Sequence, residues 1–283
     1  MRVRNYADLT AYLRHTRPCL EQREAVNNLL LGIALQLGRQ AGAVPVPPYL
    51  GTVDDEQGEP ALVAFMTPPH GLLLSAIGQA PRKAFDRLAA NLIQGGWPVS
   101  GVNGERQISE QFAQAWSAAT GQPATVKMRM RLYTLRQVIP PPYPPAGYLR
   151  PAGMADLETA TIWRAAFEME SLHQPAPPDL REAMERWIGA GSIFLWDDHG
   201  PVSMAGLTRE TPHGIAINAV YTPPEFRGRG YASACVAAMS QQMLDRGKSF
   251  CALFTDLDYP TSNAIYQKIG YRPESDFLEF SFG

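Results

Sequence analysis

The spacing of hydrophobic and polar positions divides the first 138 residues into helices and strands. Apolar residues recur every three or four positions, as on one face of a helix, in residues 5–41, 81–94 and 105–119. Short apolar runs or alternating positions, which are typical of strands, occupy residues 49–55, 60–67, 71–77, 98–102 and 126–135. This half of the chain is therefore predicted to pack helices on a sheet.

From residue 148 onward the same two periods return in a different order. Strand patterns cover residues 148–151, 192–197, 202–209, 215–222, 249–255 and 277–282. Helical patterns cover residues 156–168, 178–188 and 260–269, and a further stretch that contains Val236, Met239 and Met243 and stops at Gly247. The predicted order is β-α-α-β-β-β-α-β-α-β, with residues 277–282 closing the sheet of this half.

The stretch Ile-Pro-Pro-Pro-Tyr-Pro-Pro-Ala-Gly at residues 139–147 separates these two halves. Its five prolines favour an extended and semi-rigid backbone. The sequence therefore predicts a domain at 1–138, a linker at 139–147 and a second domain at 148–283. Two alternatives are a proline-rich loop within one domain and a PxxP-type ligand for a partner protein.

Composition narrows the class of protein. The chain has 283 residues, 45% of them hydrophobic and 18% charged, as in globular proteins. A formal net charge of −2 provides neither an electrostatic footprint for nucleic acid nor a basic patch for a membrane surface. The N-terminus lacks the apolar core of a signal peptide, and the longest apolar run, 29–37, is too short to span a bilayer. We expect a cytoplasmic protein with no nucleic-acid or membrane partner.

Cysteine and histidine usage predicts neither disulfides nor a metal site. The three cysteines are far apart and form no C-x-x-C pair, and the five histidines form no H-x-x-x-H pair. Cys235 and Cys251 lie in apolar surroundings, so we interpret them as buried structural thiols.

The most informative stretch runs from Ile215 to Met243. A β-rich run ends at Pro223 and Pro224, because proline cannot donate to a sheet ladder. Arg-Gly-Arg-Gly follows at residues 227–230, and a helical pattern begins directly after it. The free N–H groups of a helix N-terminus suit an anion, above all a pyrophosphate. The alternative is an ordinary helix entry with surface arginines.

Two motifs in this half resemble those of the Gcn5-related N-acetyltransferase superfamily. The acetyl-CoA-binding core of that family, Arg/Gln-x-x-Gly-x-Gly/Ala, is matched by Arg227, Gly230 and Ala232. Further on, Asn263 and Tyr266 match an Asn-x-x-Tyr helix, and Gly-Tyr-Arg-Pro at 270–273 matches the start of the following strand. The resemblance covers residues 148–283.

The resemblance implies a fold, a cosubstrate and a set of site residues. The implied fold is an α/β (α+β) acyl-CoA N-acyltransferase fold with a mixed, mostly antiparallel sheet flanked by helices. Tyr266 would protonate the coenzyme sulfur, and the phenol's ordinary pKa of about 10 suits a thiolate leaving group. The implied contacts of acetyl-CoA are Val220, Tyr221, Thr222, Arg227, Gly228, Arg229, Gly230, Tyr231, Ala232, Ser233, Asn263 and Tyr266. No metal is implied.

The general base is not legible in the sequence. Glu168 and Glu170 lie where the family often builds its acceptor site, and Glu210 follows a neighbouring strand. Each of these also fits a solvated carboxylate, and an ordered water could serve instead. Asn218 is an unusual polar residue in an apolar strand, and it either faces the cleft or bonds to a neighbour.

The first half repeats a similar order of elements from residue 49 onward, so we interpret it as a degenerate copy of the same fold. Its equivalent of the glycine loop is Gly-Gln-Ala-Pro-Arg-Lys at 78–83, where Pro81 removes a backbone donor. We therefore predict that this half binds no CoA and instead shapes the substrate cleft or an interface. An unrelated cap domain is the alternative.

Together these features predict an N-acetyltransferase that moves an acetyl group from acetyl-CoA to a primary amine of a small molecule or peptide by direct attack. The sequence is compatible with a homodimer. A non-catalytic acyl-CoA sensor or scaffold is the alternative. A dinucleotide-binding fold is disfavoured, because two prolines separate the strand from Gly228 and too little chain follows for the required βα units. No motif selects the amine.

Overall fold

The computed structural model describes residues 1–39, 46–258 and 265–283, and they form two compact units. One unit comprises residues 1–132 together with 274–283, and the other comprises residues 133–273. The strands are β1 (Arg2–Asn5), β2 (Tyr49–Asp54), β3 (Pro60–Met66), β4 (Leu72–Ala76), β5 (Gly101–Glu105), β6 (Ala124–Leu135), β7 (Tyr148–Pro151), β8 (Ile193–Asp197), β9 (Pro201–Thr208), β10 (Gly214–Tyr221), β11 (Phe250–Asp256) and β12 (Arg272–Phe282). The helices are α1 (Leu9–Leu20), α2 (Asn28–Arg39), α3 (Arg82–Gln94), α4 (Arg106–Thr120), α5 (Leu157–Ser171), α6 (Leu180–Gly189) and α7 (Tyr231–Asp245), and residues 265–268 are also helical.

The N-terminal unit is a mixed sheet with a hydrophobic core on each face. β1 to β4 pair antiparallel in chain order, β4 pairs parallel with β5, and β5 pairs antiparallel with β12. Alternate residues of β3 serve the two cores: Leu62 and Ala64 face α3 and α4, whereas Val63 and Phe65 face α1 and α2. Burial on both faces explains why β3 is an unbroken apolar run.

The C-terminal unit has the same layered arrangement. β7 to β10 pair antiparallel in chain order, and β10 pairs parallel with β11. One face of this sheet packs against α7, with Ile217 and Cys235 in the core. The other face packs against α5 and α6, with Met204 and Trp163 in the core. Burial raises the pKa of the Cys235 and Cys251 thiols to about 12, which fits structural cysteines.

Two parts of the chain lie elsewhere than the sequence pattern predicts. The last strand, β12, does not close the C-terminal sheet, because it pairs with β5 of the N-terminal unit from Phe277 to Ser281. The reason is aromatic packing, since the Phe282 ring stacks on Trp116 with their centroids 5.6 Å apart. The proline-rich segment 139–147 is part of the C-terminal unit instead of standing between the units. The domain limits at 138 and 148 remain predictions.

β1 was absent from the sequence prediction. Arg2 and Arg4 interrupt its apolar pattern, and an edge strand of four residues leaves too short a pattern to recognise. Within the described residues, no helix is both long and apolar enough to cross a membrane.

Candidate active site

The two parallel strands of the C-terminal unit separate partway along their length. β10 and β11 pair at Gly214, Ile215 and Ala216, and their pairing ends there although β10 runs on to Tyr221 and β11 to Asp256. The register of β10 against β9 also shifts between Asn218 and Tyr221, and Ala219 has a φ of 50°. A bulge of this kind leaves backbone groups outside the ladder. The result is a slot between two diverging strands, bordered by main-chain donors and acceptors.

The slot leads to a tight turn at the start of α7. Gly228 and Gly230 have φ angles of 76° and 82°, a region that glycine adopts more readily than other residues. Gly230 is the N-cap of α7 and supplies no side-chain acceptor to the first turn of the helix. The early N–H groups of Tyr231, Ala232 and Ser233 are therefore available to an anion. A side chain at Gly228 would meet no atom within 4 Å, so a ligand can approach this backbone.

Arg227 links the turn to the carboxylate of Glu170. Its Nε donates to the Thr222 carbonyl oxygen at 2.9 Å, and its Nη2 donates to Glu170 Oε2 at 2.7 Å. The guanidinium also lies 5.7 Å from the centre of the Tyr221 ring. Through these contacts Arg227 braces the loop and pairs its charge with Glu170. Arg229 packs over the Phe226 ring at 5.9 Å.

Side-chain hydrogen bonds hold the end of β10 on one side of the turn and the start of α7 on the other. The Ser203 hydroxyl is buried, 3.2 Å from the Tyr221 carbonyl oxygen and 2.8 Å from the Thr222 hydroxyl. The Tyr231 hydroxyl donates to Asp198 Oδ2 at 2.5 Å, and this bond raises the pKa of Tyr231 above its usual value. Both ends of the turn are therefore fixed before a ligand arrives.

Tyr266 stands in the core of the α7 face. Its half-buried ring packs edge-on against Tyr271, with the ring centroids 5.9 Å apart. Burial raises the pKa of Tyr266 well above the ordinary value for tyrosine, so the phenol keeps its proton at neutral pH. A protonated phenol is what an acid for a thiolate requires. Its predicted neighbour Asn263 lies outside the described residues, and the acid role remains a prediction.

The two glutamates offered as bases have different surroundings. Glu168 is buried, forms an ion pair with Arg164 and accepts a hydrogen bond from Gln174 Nε2 at 3.0 Å. Because both carboxylate oxygens are engaged, this geometry supports a role in holding the turn after α5. Glu170 is about half exposed and accepts a hydrogen bond from the Tyr221 hydroxyl at 3.0 Å, beside the slot.

The Tyr221 side chain is the functional candidate that sequence reasoning missed. The resemblance assigns Tyr221 only a backbone contact, yet its ring lies on the α5 face and its hydroxyl meets Glu170. Burial raises the pKa of Tyr221 above its usual value, and the hydrogen bond to Glu170 raises it further. Fifty-one residues separate the two partners, so no local pattern could have paired them.

The two remaining polar candidates lie apart from this cluster. Glu210 forms an ion pair with Lys248 at 2.7 Å, close to where β10 begins. The eight-residue β10 spans about 25 Å at strand geometry, so Glu210 is at the wrong end of the sheet for a base. Asn218 lies beside Gly206 of β9. Its Oδ1 is 3.1 Å from the position that a Cβ would take if Gly206 carried a side chain.

The N-terminal unit has a comparable strand pair with a different ending. β4 and β5 pair in parallel at three positions, the last at Leu74 and Gly104. β4 keeps a regular register against β3 throughout, without a bulge. α3 then begins after Pro81, which is its N-cap and has no N–H of its own.

Side chains from the connection between α1 and α2 bond to β4 and β5 where the two strands part. Arg23 donates two hydrogen bonds of 2.9 Å to the carboxylate of Glu105, and the Ser75 hydroxyl donates to Asn27 Oδ1 at 2.6 Å. A cavity of about 20 Å³ lies beside Asn27, and an open pocket of about 380 Å³ lies beside Ala76, Gly78 and Glu105.

Comparison with known proteins identifies what the C-terminal unit resembles. The Acetyltransferase (GNAT) family matches residues 158–271, a segment that contains the slot, the glycine turn and Tyr266. This part of the chain is similar to the GNAT acetyltransferases. The predicted GNAT fold, a mixed sheet flanked by helices, is thereby confirmed, and acetyl-CoA is the cosubstrate that this family uses.

Solved structures extend the likeness over nearly the whole chain. A GCN5-related N-acetyltransferase from Sphaerobacter thermophilus is 18% identical, with a TM-score of 0.64 over 99% of this chain and 94% of that protein. A tandem GNAT protein from the clavulanic acid biosynthesis pathway is 11% identical, with a TM-score of 0.50 over 99% of this chain and 97% of that protein. The architecture of this chain is consistent with two tandem copies of the GNAT fold.

One curated relative is similar in sequence over a shorter stretch. A mycothiol acetyltransferase from Corynebacterium aurimucosum is 25% identical over 119 residues, which are 38% of this chain and 37% of that relative. Among the described residues of this protein, no three His, Cys, Asp or Glu side chains are grouped so as to hold a metal ion.

Proposed function

We propose that this protein transfers an acetyl group from acetyl-CoA to a primary amine of a small molecule or peptide, by direct attack in a ternary complex. The observation that carries the proposal is the continuity of the slot with the turn. β10 and β11 part after Ala216, and β10 runs on through Tyr221 into the turn that begins α7. Such a path suits a thin pantetheine arm that ends in a pyrophosphate.

In the proposed reaction, the amine nitrogen attacks the thioester carbonyl carbon and forms a tetrahedral adduct. Main-chain donors of Val220 and its neighbours at the bulge stabilise the oxyanion. The C–S bond then breaks, and the departing sulfur takes the Tyr266 proton while the amine loses one of its own. The half-exposed Glu170 carboxylate is the base that the geometry supports best, acting directly or through a water.

Calorimetry combined with an amine screen tests the proposal. We expect heat of binding with acetyl-CoA, and release of free CoA thiol when a suitable amine is added. Because one relative is a mycothiol acetyltransferase, amines related to mycothiol belong in the screen alongside amino acids, peptides and aminoglycosides. Absence of acetyl-CoA binding would overturn the proposal. Binding without turnover on any amine would instead favour the sensor or scaffold.

The assignment of roles within the N-terminal unit belongs to the same proposal. We propose that this unit binds no CoA, since α3 begins after Pro81, which has no N–H to offer, where the C-terminal unit has its glycine turn. A cytoplasmic location and a homodimer remain predictions from the sequence.

A further inference from the structure

The proline-rich segment 139–147 is fastened to the C-terminal unit at both ends. At its start, the Ile139 N–H donates to the Ile269 carbonyl oxygen at 2.9 Å. Near its end, the Trp196 indole N–H donates to the Ala146 carbonyl oxygen at 2.8 Å. Prolines restrict the backbone between these two bonds, so the segment is a stiff strap across the unit.

The strap passes beside the glycine turn. A side-chain carbon placed at Gly230 would lie 3.8 Å from Pro145 Cδ, so Pro145 borders the N-terminus of α7. The other end of the strap is bonded to Ile269, three residues after Tyr266. The strap therefore runs from the end of the Tyr266 segment to the turn proposed to hold the pyrophosphate.

One large side chain on the strap points away from the protein. The Tyr143 side chain is 92% exposed, the most exposed of the large hydrophobic residues described. It precedes Pro145 by two residues, which is about 6 Å along an extended proline-rich backbone. The exposed ring has an apolar face in contact with water, and a flat ligand can cover that face. Because the segment is stiff, binding orders little additional backbone.

We propose that Tyr143 stacks on the adenine ring of the acetyl-CoA that occupies the slot. The proposal rests on the proposed function, because it needs the pyrophosphate at the Gly228–Gly230 turn. In CoA the adenine is one ribose away from the pyrophosphate, a separation comparable with that from Pro145 to Tyr143 along the strap. Aromatic stacking accepts the flat face of a base without reading its edges, and it adds affinity without taking part in the reaction.

The test compares two ligands on four proteins by calorimetry. The ligands are acetyl-CoA and acetyl-phosphopantetheine, which lacks the adenosine with its 3′-phosphate and keeps only one phosphate of the pyrophosphate. The proteins are the unaltered chain, Tyr143→Ala, Tyr143→Phe and the control Tyr148→Ala, which removes another exposed tyrosine that lies on β7. We expect Tyr143→Ala to bind acetyl-CoA about fivefold to tenfold more weakly, and to bind acetyl-phosphopantetheine as the unaltered chain does. Tyr143→Phe and Tyr148→Ala should leave both affinities unchanged.

The outcomes separate this inference from the function on which it rests. Failure of the unaltered chain to bind acetyl-CoA overturns the proposed function, and the inference with it. If acetyl-CoA binds and Tyr143→Ala binds it equally well, only the stacking is wrong. An equal loss for both ligands also overturns the stacking, because the tyrosine would then support the strap or the turn instead of the adenine.

Discussion

In the C-terminal unit the parallel strands β10 and β11 part after Ala216, and in the N-terminal unit the parallel strands β4 and β5 part after Leu74. Each pair stays in register over three positions and is followed by a helix. The first pair leads to a turn with two glycines at positive φ. The second leads to a helix whose N-cap is Pro81.

The difference shows that diverging strands alone do not make a coenzyme site. In the C-terminal unit the bulge at Ala219 and the glycine turn leave main-chain donors free for a ligand. In the N-terminal unit, Arg23 and Asn27 bond to Glu105 and Ser75 beside the strand pair, and the pocket of about 380 Å³ there has no glycine turn at its helix, because α3 begins after Pro81. The two units therefore differ in the main-chain donors at the start of the following helix.

The largest expected effect concerns the acid. Tyr266→Phe removes the proposed proton donor while it keeps the ring in place against Tyr271. We expect kcat to fall about 100-fold or more, with little change in the KM for acetyl-CoA, because proton transfer matters only in the transition state. Steady-state kinetics on the best amine of the screen measures both constants.

The matched control for this change lies in the other unit. Tyr49 is also buried, and its hydroxyl donates to Asn91 Oδ1 at 2.9 Å. Tyr49→Phe should leave kcat unaltered. An equal loss of kcat in both variants would mean that the effect of Tyr266→Phe is structural.

A second pair of variants tests the two turns directly. Gly230→Val and Gly78→Val both force a β-branched residue to a positive φ, 82° and 73° respectively. Each should lower the free energy of unfolding by about 1–2 kcal/mol, since the backbone strain is alike. Only Gly230→Val should weaken acetyl-CoA binding, by about 30-fold, because only there does a side chain stand where the pyrophosphate approaches. Urea unfolding and calorimetry give the two quantities. Equal affinities would show that the glycine turn is not the coenzyme site.

A third pair compares a glutamate beside each strand pair. Glu170→Gln keeps a hydrogen-bond acceptor for Tyr221 but removes the charge, so we expect kcat/KM to fall about 10-fold and its dependence on pH to change. Glu105→Gln alters the carboxylate that Arg23 and Ser275 already hold, and it should leave kcat/KM unchanged. A Glu170→Gln profile that matches the unaltered enzyme at every pH would remove Glu170 from the reaction.

Local patterns in the sequence predicted the helices and most strands, and long-range contacts explain what they missed. The helical spacing of Phe85, Leu88 and Leu92 predicted α3, because the period of a helix can be recognised in a short stretch of sequence. The pairing of β12 with β5 joins residues about 170 positions apart, and no local pattern carries that information. Prolines predicted an extended backbone at 139–147, but they do not say which surface an extended segment covers.

The candidate site divides in the same way. The glycine turn could be predicted from the sequence because a strand, prolines and glycines follow one another directly in the chain. The contact of Tyr221 with Glu170 was not, since it depends on how α5 packs against β10. Site residues that act through their backbone can be predicted from glycines and prolines nearby in the sequence. Contacts between side chains of different elements can be identified only once the fold is known.

The smallest expected effect is a difference in acid sensitivity between the units. In the C-terminal unit Arg150 bonds to both Asp156 and Asp197 and lowers the pKa of each carboxyl below its usual value. A lowered folded-state pKa contributes stability above the unfolded pKa of about 4, and that stability is lost as pH falls through the folded pKa. Arg150→Gln should therefore cost about 1 kcal/mol at pH 7, and the cost should vanish once both carboxyls are protonated. Urea unfolding at pH 7, 5 and 3 measures it.

The N-terminal unit supplies the counterpart in the pair of Arg131 and Asp276. Arg131 lowers the pKa of Asp276, and both side chains are about one third exposed, so water screens the pair more than the Arg150 cluster. Arg131→Gln should cost less than Arg150→Gln at pH 7 and lose its effect over the same acidic range. If Arg131→Gln proved the more costly, exposure would not be what sets the strength of these pairs, and the two units would differ in a way that their carboxylates do not explain.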